Sequence, residues 1–216
     1  MGILPTIESV RGWLAARVSG GGSDVAADAP GLGDLLSSQA AFVAQKLVTE
    51  YCQAKAGRHW PQLSMEETFV AALGRARWEA FAAILADVFV LAEGILRPAA
   101  GGEAQALRAP LVRLYAASLG AYPRPAHRPD GWDDAVAAFD ERLASVQQAE
   151  PAAPRIVAAI GGHRMFETLP IALGMRRDDE PMVVNGVAFH LTAMIGRLRR
   201  RIDAPAVVAS LRSRSG

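Results

Sequence analysis

Residues 64–97 decide the fold, and they read SMEETFVAALGRARWEAFAAILADVFVLAEGILR. Their apolar side chains recur every three or four positions, which is the spacing of an α-helix. They form two adjoining faces, with Phe69, Leu73, Ala80, Ile84 and Leu91 on one and Trp78, Phe81, Leu85, Phe89 and Leu96 on the other. A helix that is apolar almost all round is enclosed by other elements. The stretch therefore predicts a central, buried helix over residues 64–97.

The two ends of this helix carry their own signals. Ser64 and Glu67 have the spacing of a capping box, in which each side chain accepts a hydrogen bond from the other residue's backbone amide. Pro98 removes a backbone donor, so the helix is predicted to end at Arg97. Glu93 and Arg97 lie one turn apart in the favourable order, which predicts an ordinary ion pair on the helix surface.

Asp87 lies in the middle of this apolar helix and is its most informative residue. Its neighbours one turn away are Ala83, Ile84, Val90 and Leu91, and none of them pairs with a carboxylate. Burying an unpaired carboxylate costs several kcal/mol. We therefore expect an arginine, histidine or tyrosine from another helix to contact Asp87. The favoured interpretation is a buried ion pair or polar contact that sets the helix register, and the alternative is a ligand-facing or catalytic acid.

Helical periodicity continues on both sides of the central stretch. Further helices are predicted over residues 32–56, 110–121, 130–148 and 183–202, with shorter or interrupted ones over 156–169 and 205–211. The pair Gly161-Gly162 is expected to interrupt the helix in which it lies. No segment shows the sustained period-two alternation of a β-strand. The predicted fold class is all-α, a compact bundle of six to seven helices.

The first 31 residues are predicted to form a separate N-terminal part. An amphipathic helical face is formed by Ile3, Ile7, Val10, Trp13 and Leu14. Residues 19–31, SGGGSDVAADAPG, have the composition of a flexible linker. The predicted division is therefore residues 1–31 as a tethered helix with its linker, and residues 32–216 as a single helical domain. Ile7 and Trp13 are candidate contacts for a partner.

Composition and charge exclude several classes of protein. The formal net charge of +1 gives no electrostatic case for binding nucleic acid or an anionic membrane. The 23 basic residues include only two lysines, Lys46 and Lys55, which is typical of a GC-rich bacterial genome; the alternative is arginine chosen for anion contacts. The single cysteine, Cys52, has no partner for an internal disulfide and fits a reducing cytoplasm.

The hydropathy pattern predicts a soluble, cytoplasmic protein. The N-terminus lacks the uninterrupted apolar run of a secretory signal, because Glu8 and Arg11 interrupt it. The longest apolar stretch, residues 80–96, contains two acids. It is also shorter than the run of about 20 apolar residues that a membrane-spanning helix needs.

The candidates for a small-ligand site are Asp87, His163, Arg164, Glu167 and His190. His163 and Glu167 lie one helical turn apart and share a face. The glycine pair ahead of Arg164 is able to offer backbone amides and a cation to an anion. A metal site needs three or four converging ligands with a recognisable spacing, and the histidines and acids show no such motif. No metal and no cofactor are predicted.

A group of arginines marks the end of the helix predicted over residues 183–202. It consists of Arg197, Arg199, Arg200 and Arg201. The simplest interpretation is that the helix dipole favours cations at a C-terminus. The alternative is a contact patch for phosphate, RNA or an acidic partner. Aromatic residues do not alternate with these arginines, so base stacking is not indicated.

Three hypotheses for the function follow from these features. The leading one is a non-enzymatic binding, adaptor or chaperone-like protein, because catalytic motifs are missing and both ends of the chain offer contact surfaces. Its partner is then another protein or a second copy in a dimer. The second is an enzyme or ligand-binding protein with a pocket around Asp87 and His163 or His190. The third, which the net charge disfavours, is weak nucleic-acid binding through the terminal arginines.

Overall fold

The computed structural model describes residues 25–213, and this part of the chain is an all-α bundle without a β-strand. Its seven helices of ten residues or more are α1 (Ala29–Ala56), α2 (Glu67–Ala100), α3 (Arg108–Gly120), α4 (Asp133–Val146), α5 (Pro154–Thr168), α6 (Glu180–Arg201) and α7 (Ala204–Ser213). Shorter helical turns cover Gly57–His59, Trp60–Leu63, Gly101–Leu107 and Leu173–Arg176. The predicted fold class is confirmed. The predicted N-terminal helix, with Ile7 and Trp13, lies outside the described residues.

α2 is the central helix of the bundle, as its apolar pattern predicts. Ile84, Leu85 and Phe89 have no exposed surface, and α1, α4, α5 and α7 all pack against α2. Burying one large apolar side chain stabilises a fold by about 1.5–3 kcal/mol, so this helix supplies a large share of the core. Polar residues that are enclosed with it need partners from the surrounding elements.

Both ends of α2 differ from the prediction. The capping box is not formed, because Ser64 Oγ donates instead to the Pro61 carbonyl at 3.0 Å and so completes the preceding helical turn. α2 begins three residues later, at Glu67. At its other end α2 continues through Pro98, since a proline in the last turn removes only one hydrogen bond. The helix stops at Gly101, whose φ of 60° suits glycine.

α1 begins earlier than the predicted linker allows. Asp28 is its N-cap and accepts a hydrogen bond from the Gly31 amide at 2.8 Å, and Pro30 lies in the first turn. Ala26 is buried. Residues from 26 onward therefore belong to the helical fold, because an aspartate just ahead of a proline starts a helix in a stretch whose composition resembles a linker. At the other end of α1, Gly57 is the capping residue.

α5 runs without a break through Gly161 and Gly162, so the predicted interruption is wrong. Both glycines are buried where α5 meets its neighbours. A Cβ added to Gly162 would lie 2.7 Å from the Val184 Cα of α6, and one added to Gly161 would collide with the Asp87 carboxylate of α2. Each glycine lowers helix stability by about 1 kcal/mol. The close packing of α5 between α2 and α6 outweighs that loss.

α1 and α6 run antiparallel along one side of the bundle. Just before α1, Ala26 N donates to the Arg201 carbonyl at the end of α6, at 2.7 Å. Near the end of α1, Tyr51 Oη donates to Oδ2 of Asp179 at 2.6 Å, just ahead of α6. These two contacts place the middle of α1 beside the middle of α6.

Candidate functional site

Three carboxylates of α2 are buried, although the sequence pattern singles out only one of them. Glu79, Asp87 and Glu93 are 3%, 0% and 0% exposed. An ionised carboxylate is tolerated in such surroundings only with hydrogen bonds and a cation nearby. Each of the three has such partners, and the partners come from different parts of the chain.

Asp87 has the partner from another helix that its position predicts. Arg142 of α4 places Nη1 2.6 Å from Asp87 Oδ1, and the Gly161 amide of α5 donates to Oδ2 at 3.1 Å. Arg142 also donates from Nη2 to the Val157 carbonyl of α5 at 2.9 Å. The expectation of a partner is therefore confirmed, and the ion pair joins α2, α4 and α5 at one point.

The Asp87 side chain is fully enclosed. It lines neither of two surface cavities of the described chain, one beside Met175 and one beside Glu79. Burial raises the pKa of Asp87 above its ordinary value, and the charge of Arg142 with the hydrogen bonds counteracts only part of that effect. A ligand would have to displace Arg142 to reach the carboxylate. The geometry favours a structural ion pair over a catalytic acid.

Glu79 lies at the centre of a larger polar cluster. Arg128, in the proline-rich loop before α4, donates to both carboxylate oxygens at 2.7 Å. Arg164 of α5 donates to Oε2 at 2.6 Å, and His127 Nε2 lies 3.0 Å from Oε1. The other side of Arg128 binds Asp134 at the start of α4. The cluster fastens the proline-rich loop to α2 and α5.

The charges in this cluster keep Glu79 ionised. Burial opposes ionisation, but the hydrogen bonds and charges of Arg128 and Arg164 outweigh it and lower the pKa of Glu79 to about 2. The pKa of His127 lies below its ordinary value of 6.5, chiefly because burial disfavours the charged ring. At neutral pH the ring is therefore uncharged, and its Nε2–H donates to Glu79.

A polar cavity of about 550 Å³ opens beside the Glu79 cluster. Its charged lining consists of the arginines Arg75, Arg128 and Arg164 and the acids Glu79, Asp130, Asp133 and Asp134. Arg128 and Arg164 already form ion pairs with acids of the cluster. An incoming anion or cation would compete with these pairs. The cavity thus has balanced charge rather than the single-signed field that attracts a charged ligand.

Glu93 is fully buried and the Arg97 side chain is only 17% exposed, so the prediction of an ordinary surface pair is wrong. Arg97 donates from Nε and Nη2 to Glu93 at 3.0 and 2.7 Å, and Gln147 Nε2 donates to Glu93 at 3.2 Å. Arg97 also donates to the carbonyls of Val146, the last residue of α4, and of Ala149 in the turn that follows. The pair satisfies carbonyls that the end of a helix leaves without partners. Spacing alone predicted the pair but not that α4 would cover it.

The remaining ligand candidates on α5 form two separate contacts. His163 Nδ1 lies 2.6 Å from Glu180 Oε1 at the surface. Arg164 bridges Glu79 and Glu167, with an Nη1 to Oε2 distance of 3.2 Å on the Glu167 side. Asp87 contacts neither group. The residues that the sequence proposes for one ligand site therefore lie in different surroundings.

His190 belongs to another feature, an exposed group of rings on α1 and α6. The Phe42 and Phe189 rings meet the His190 ring edge to face, at centroid distances of 6.5 and 5.7 Å. Phe189 is 72% exposed and Phe42 is 49% exposed, although helical spacing places Phe42 in the apolar stripe of α1. Met182, two turns before Phe189, is also exposed. We name Phe42, Met182, Phe189 and His190 the aromatic surface.

Cationic side chains border the aromatic surface. The pKa of His190 is lowered by burial and by the neighbouring charges of Lys46 and Arg197, which together outweigh the opposing charge of Glu50. Three of the four arginines predicted as a contact patch are exposed and form no salt bridge within residues 25–213. They are Arg197, Arg199 and Arg200. Arg201, the fourth, is partly buried and has interactions of its own.

The sequence pattern missed both Glu79 and the aromatic surface, although each left a signal. Glu79 lies about two turns before Asp87 on a helix that is predicted to be enclosed, and this position indicates a second buried acid. Phe189 lies off the apolar stripe that passes through Val187 and Leu191 of α6. A large aromatic residue off the stripe indicates an exposed ring.

The described residues contain neither a metal-binding group nor a membrane-crossing helix. Within residues 25–213, histidine, cysteine, aspartate and glutamate side chains form no group of three that would hold a metal ion. The helices of the same residues include none with the length and low polarity of a membrane crossing. No protein-family model matches the chain, and neither a curated protein nor a solved structure matches it. Function is therefore inferred from the chain's own geometry.

Proposed function

We propose that this protein is a non-enzymatic binding module of the adaptor or chaperone-like kind, which holds a protein partner on the aromatic surface. The observation that carries the proposal is the exposure of Phe189. Its side chain is 72% exposed and contacts the His190 ring, which in turn contacts the Phe42 ring. Single exposed apolar side chains are ordinary. A group of adjacent rings with a methionine is typical of an interface. The compartment that we propose is the reducing cytoplasm, which suits a single cysteine.

Rigid support for the aromatic surface favours this function. Phe42 and Phe189 lie near the middle of α1 and α6, which are 28 and 22 residues long. Binding is weakened when surface groups must be ordered first. Rings that are fixed on two long, packed helices avoid much of that cost, so the surface is suited to a partner without rearrangement of the bundle.

The chemistry around the rings indicates the class of partner. An amphipathic helix presents apolar side chains along one face, and such a helix binds in the groove between two others. Acidic residues beside that face would pair with Arg197, Arg199 and Arg200, which have no salt bridge among the described residues. Complementary charge speeds association and disfavours basic partners. We therefore propose an amphipathic helix with acidic flanks as the bound element.

The rival function, an enzyme or ligand-binding protein built around Asp87, has weaker support. Asp87 is enclosed by Arg142, His163 lies at the surface of α5, and His190 lies on the aromatic surface. Catalysis requires groups within hydrogen-bond reach of one reacting position. Asp87, His163 and His190 line neither of the two surface cavities beside Met175 and Glu79 in the described chain.

The test compares three forms of the full chain: wild type, Phe189→Asp and Met65→Asp. The first variant places a charge in the aromatic surface. Met65→Asp, the matched control, places the same charge on a residue that is 85% exposed elsewhere. Each tagged form is purified from its own cells, and the retained proteins are quantified by mass spectrometry. A protein lost with Phe189→Asp and kept with Met65→Asp is then purified, and its affinity for each form is measured.

We expect a partner whose affinity falls at least tenfold with Phe189→Asp, because truncating a central interface aromatic costs about 2 kcal/mol or more. With Met65→Asp the affinity should stay within about twofold of wild type. Sedimentation velocity of the three forms covers the case in which the partner is a second copy. The proposal is wrong if Phe189→Asp keeps the same bound proteins, affinities and oligomeric state as wild type.

A further inference from the structure

The described chain begins at one end of the two helices that carry the aromatic surface. Ala26 donates to the Arg201 carbonyl at 2.7 Å and accepts from the Asp203 amide at 2.9 Å. Ala26, two residues beyond the undescribed stretch 1–24, therefore lies between the start of α1 and the end of α6. These are the two helices that carry Phe42 and Phe189.

We propose that residues 3–18 bind the aromatic surface of the same chain and cover it until a partner displaces them. The inference rests on the proposed function, to which it adds a means of regulation. The apolar residues that share one helical face in this segment are Ile3, Ile7, Val10, Trp13 and Leu14. An amphipathic helix binds by laying such a face along a groove between helices. The segment thus has the same chemistry as the apolar part of the partner.

The length of the chain permits this arrangement. Residues 19–24 span at most about 20 Å when extended, and residues 3–18 would form a helix about 24 Å long. At 1.5 Å per residue, Phe189 lies about 18 Å before Arg201 along α6. A helix that turns back from Ala26 and lies along α1 and α6 therefore passes over both phenylalanines.

A weak contact is sufficient because the two parts belong to one chain. Residues 19–24, SGGGSD, form a short tether that is rich in glycine and serine. Such a tether gives an effective concentration of the order of millimolar. A segment whose dissociation constant as a free peptide is about 0.1 mM would then cover the surface in about nine chains of ten.

Charge makes the segment a weaker occupant than the proposed partner. It contains Arg11 and Arg17 but a single acid, Glu8. Along α6 it would lie near Arg197, where an acidic partner forms ion pairs that the segment does not. The segment would therefore shield the rings from non-specific apolar contacts and yield to a partner of matching charge.

The test measures proximity within one chain by cysteine cross-linking. The single native thiol, Cys52, is buried, and burial raises its pKa to about 12, so it reacts poorly in the folded protein. In the full chain, Arg11→Cys is combined with Ala193→Cys, which lies one turn beyond Phe189 on the exposed side of α6. The matched control combines Arg11→Cys with Ala138→Cys, an exposed position on α4, which packs against α2 and α3.

A short bis-maleimide at low protein concentration should cross-link the 11/193 pair within one chain at least about tenfold faster than the 11/138 pair. Adding Phe189→Asp should lower the rate of the first pair to that of the control, and adding Met65→Asp should leave it unchanged. Equal rates for the two pairs would overturn the proposal. So would products that join two chains only, because residues 3–18 would then cover a second copy.

This experiment needs no partner, so its failure is distinguishable from failure of the proposed function. If the 11/193 pair cross-links preferentially but no partner depends on Phe189, residues 3–18 bind the aromatic surface and the proposed binding function is wrong. If a partner depends on Phe189 but the 11/193 pair does not cross-link preferentially, the binding function holds and the inference about residues 3–18 is wrong. Circular dichroism and urea unfolding check that each variant folds, and Phe42→Asp on α1 replaces Phe189→Asp if that variant does not fold.

Discussion

Glu79 and Asp87 lie about two turns apart on α2, and the bundle accommodates the two buried carboxylates by opposite means. Asp87 has one cation, Arg142, and one backbone amide in an enclosed site. Glu79 has two arginines, Arg128 and Arg164, and a histidine beside a polar cavity. The first site is enclosed and has few partners, and the second adjoins a polar cavity and has many.

The pKa values of the two acids respond to this difference. Burial raises the pKa of Asp87 because a single arginine does not offset the loss of water. Burial also acts on Glu79, but two arginines outweigh it and lower the pKa of that acid to about 2. The number of partners, as well as the depth of burial, thus decides the charge state of a buried acid. Loss of one partner should therefore harm the Asp87 site more than the Glu79 site.

The largest effect is expected from Arg142→Met, which leaves Asp87 buried without its cation. Breaking a buried pair in this way costs about 3–5 kcal/mol of unfolding free energy, measured by urea denaturation at pH 7. The matched control is Asp87→Leu with Arg142→Met, because an apolar pair of similar volume often restores the lost stability. If the double variant is as unstable as Arg142→Met alone, the loss of stability comes from lost packing and not from the unpaired charge of Asp87.

The same variant should also respond to pH. Because the pKa of Asp87 is raised in the folded protein, the folded state holds a proton that the unfolded chain releases above pH of about 4. Stability from this group is therefore present at low pH and falls as the pH rises towards the folded pKa. Without Arg142 the folded pKa of Asp87 should rise further, so the decline should continue to higher pH than in wild type. A flat profile between pH 4 and 8 would contradict the assigned shift.

Gly161→Ala should have the next largest effect, about 1–3 kcal/mol of lost unfolding free energy. The added Cβ collides with the Asp87 carboxylate and also approaches Ile84 Cγ1 at 3.1 Å. Gly74→Ala on α2 is the control, because no atom lies within 4 Å of its added Cβ. That change should stabilise the protein by up to about 1 kcal/mol through helix propensity. Thermal unfolding that shifts in the same direction for both variants would refute the close approach at Gly161.

Glu79→Gln should cost about 1–3 kcal/mol at pH 7, less than Arg142→Met, because Arg128 keeps Asp134 and Arg164 keeps Glu167. Since the folded pKa of Glu79 is about 2 and its ordinary value is 4.5, its stabilisation is present above pH 4.5 and is lost as the pH falls towards 2. Urea unfolding from pH 7 to 2 should show a shallower acid decline in the variant. A decline as steep as that of wild type would exclude Glu79 as a source of acid sensitivity.

The smallest effect is expected at His127. Its folded pKa is lowered, so the stability linked to this ring is present above pH 6.5 and is lost below it, as the pH falls through the folded pKa. His127→Ala should cost about 1 kcal/mol at pH 7.5, the value of one hydrogen bond. Glu79 opposes the lowering, so Glu79→Gln should lower the His127 pKa further, as followed by NMR titration. A rise in the His127 pKa would contradict the assignment of burial as the cause that lowers this pKa and of Glu79 as the group that raises it.

The sequence predicted features that depend on neighbouring residues of one helix, and it did not predict contacts between residues that are far apart in the chain. The apolar period of residues 64–97 predicted the central helix, because burial on all sides leaves its mark on every turn. The need for a partner at Asp87 was also predictable, since no residue one turn away on its own helix pairs with a carboxylate. The identity of that partner was not predictable, because Arg142 belongs to another helix and has no regular spacing from Asp87. The rings of Phe42 and His190 likewise meet across two helices.

Sequence by itself determined the all-α class and the buried central helix, because both follow from the helical period of the apolar residues. It also determined that Asp87 needs a partner, because burying an unpaired acid is costly. Tertiary structure alone decided that α5 continues through Gly161 and Gly162, that Glu93 and Arg97 are covered, and that the rings of the aromatic surface are left exposed. The physical reason is that local propensities amount to about 1 kcal/mol or less per residue. Packing between helices that are distant in the chain exceeds that amount and overrides it.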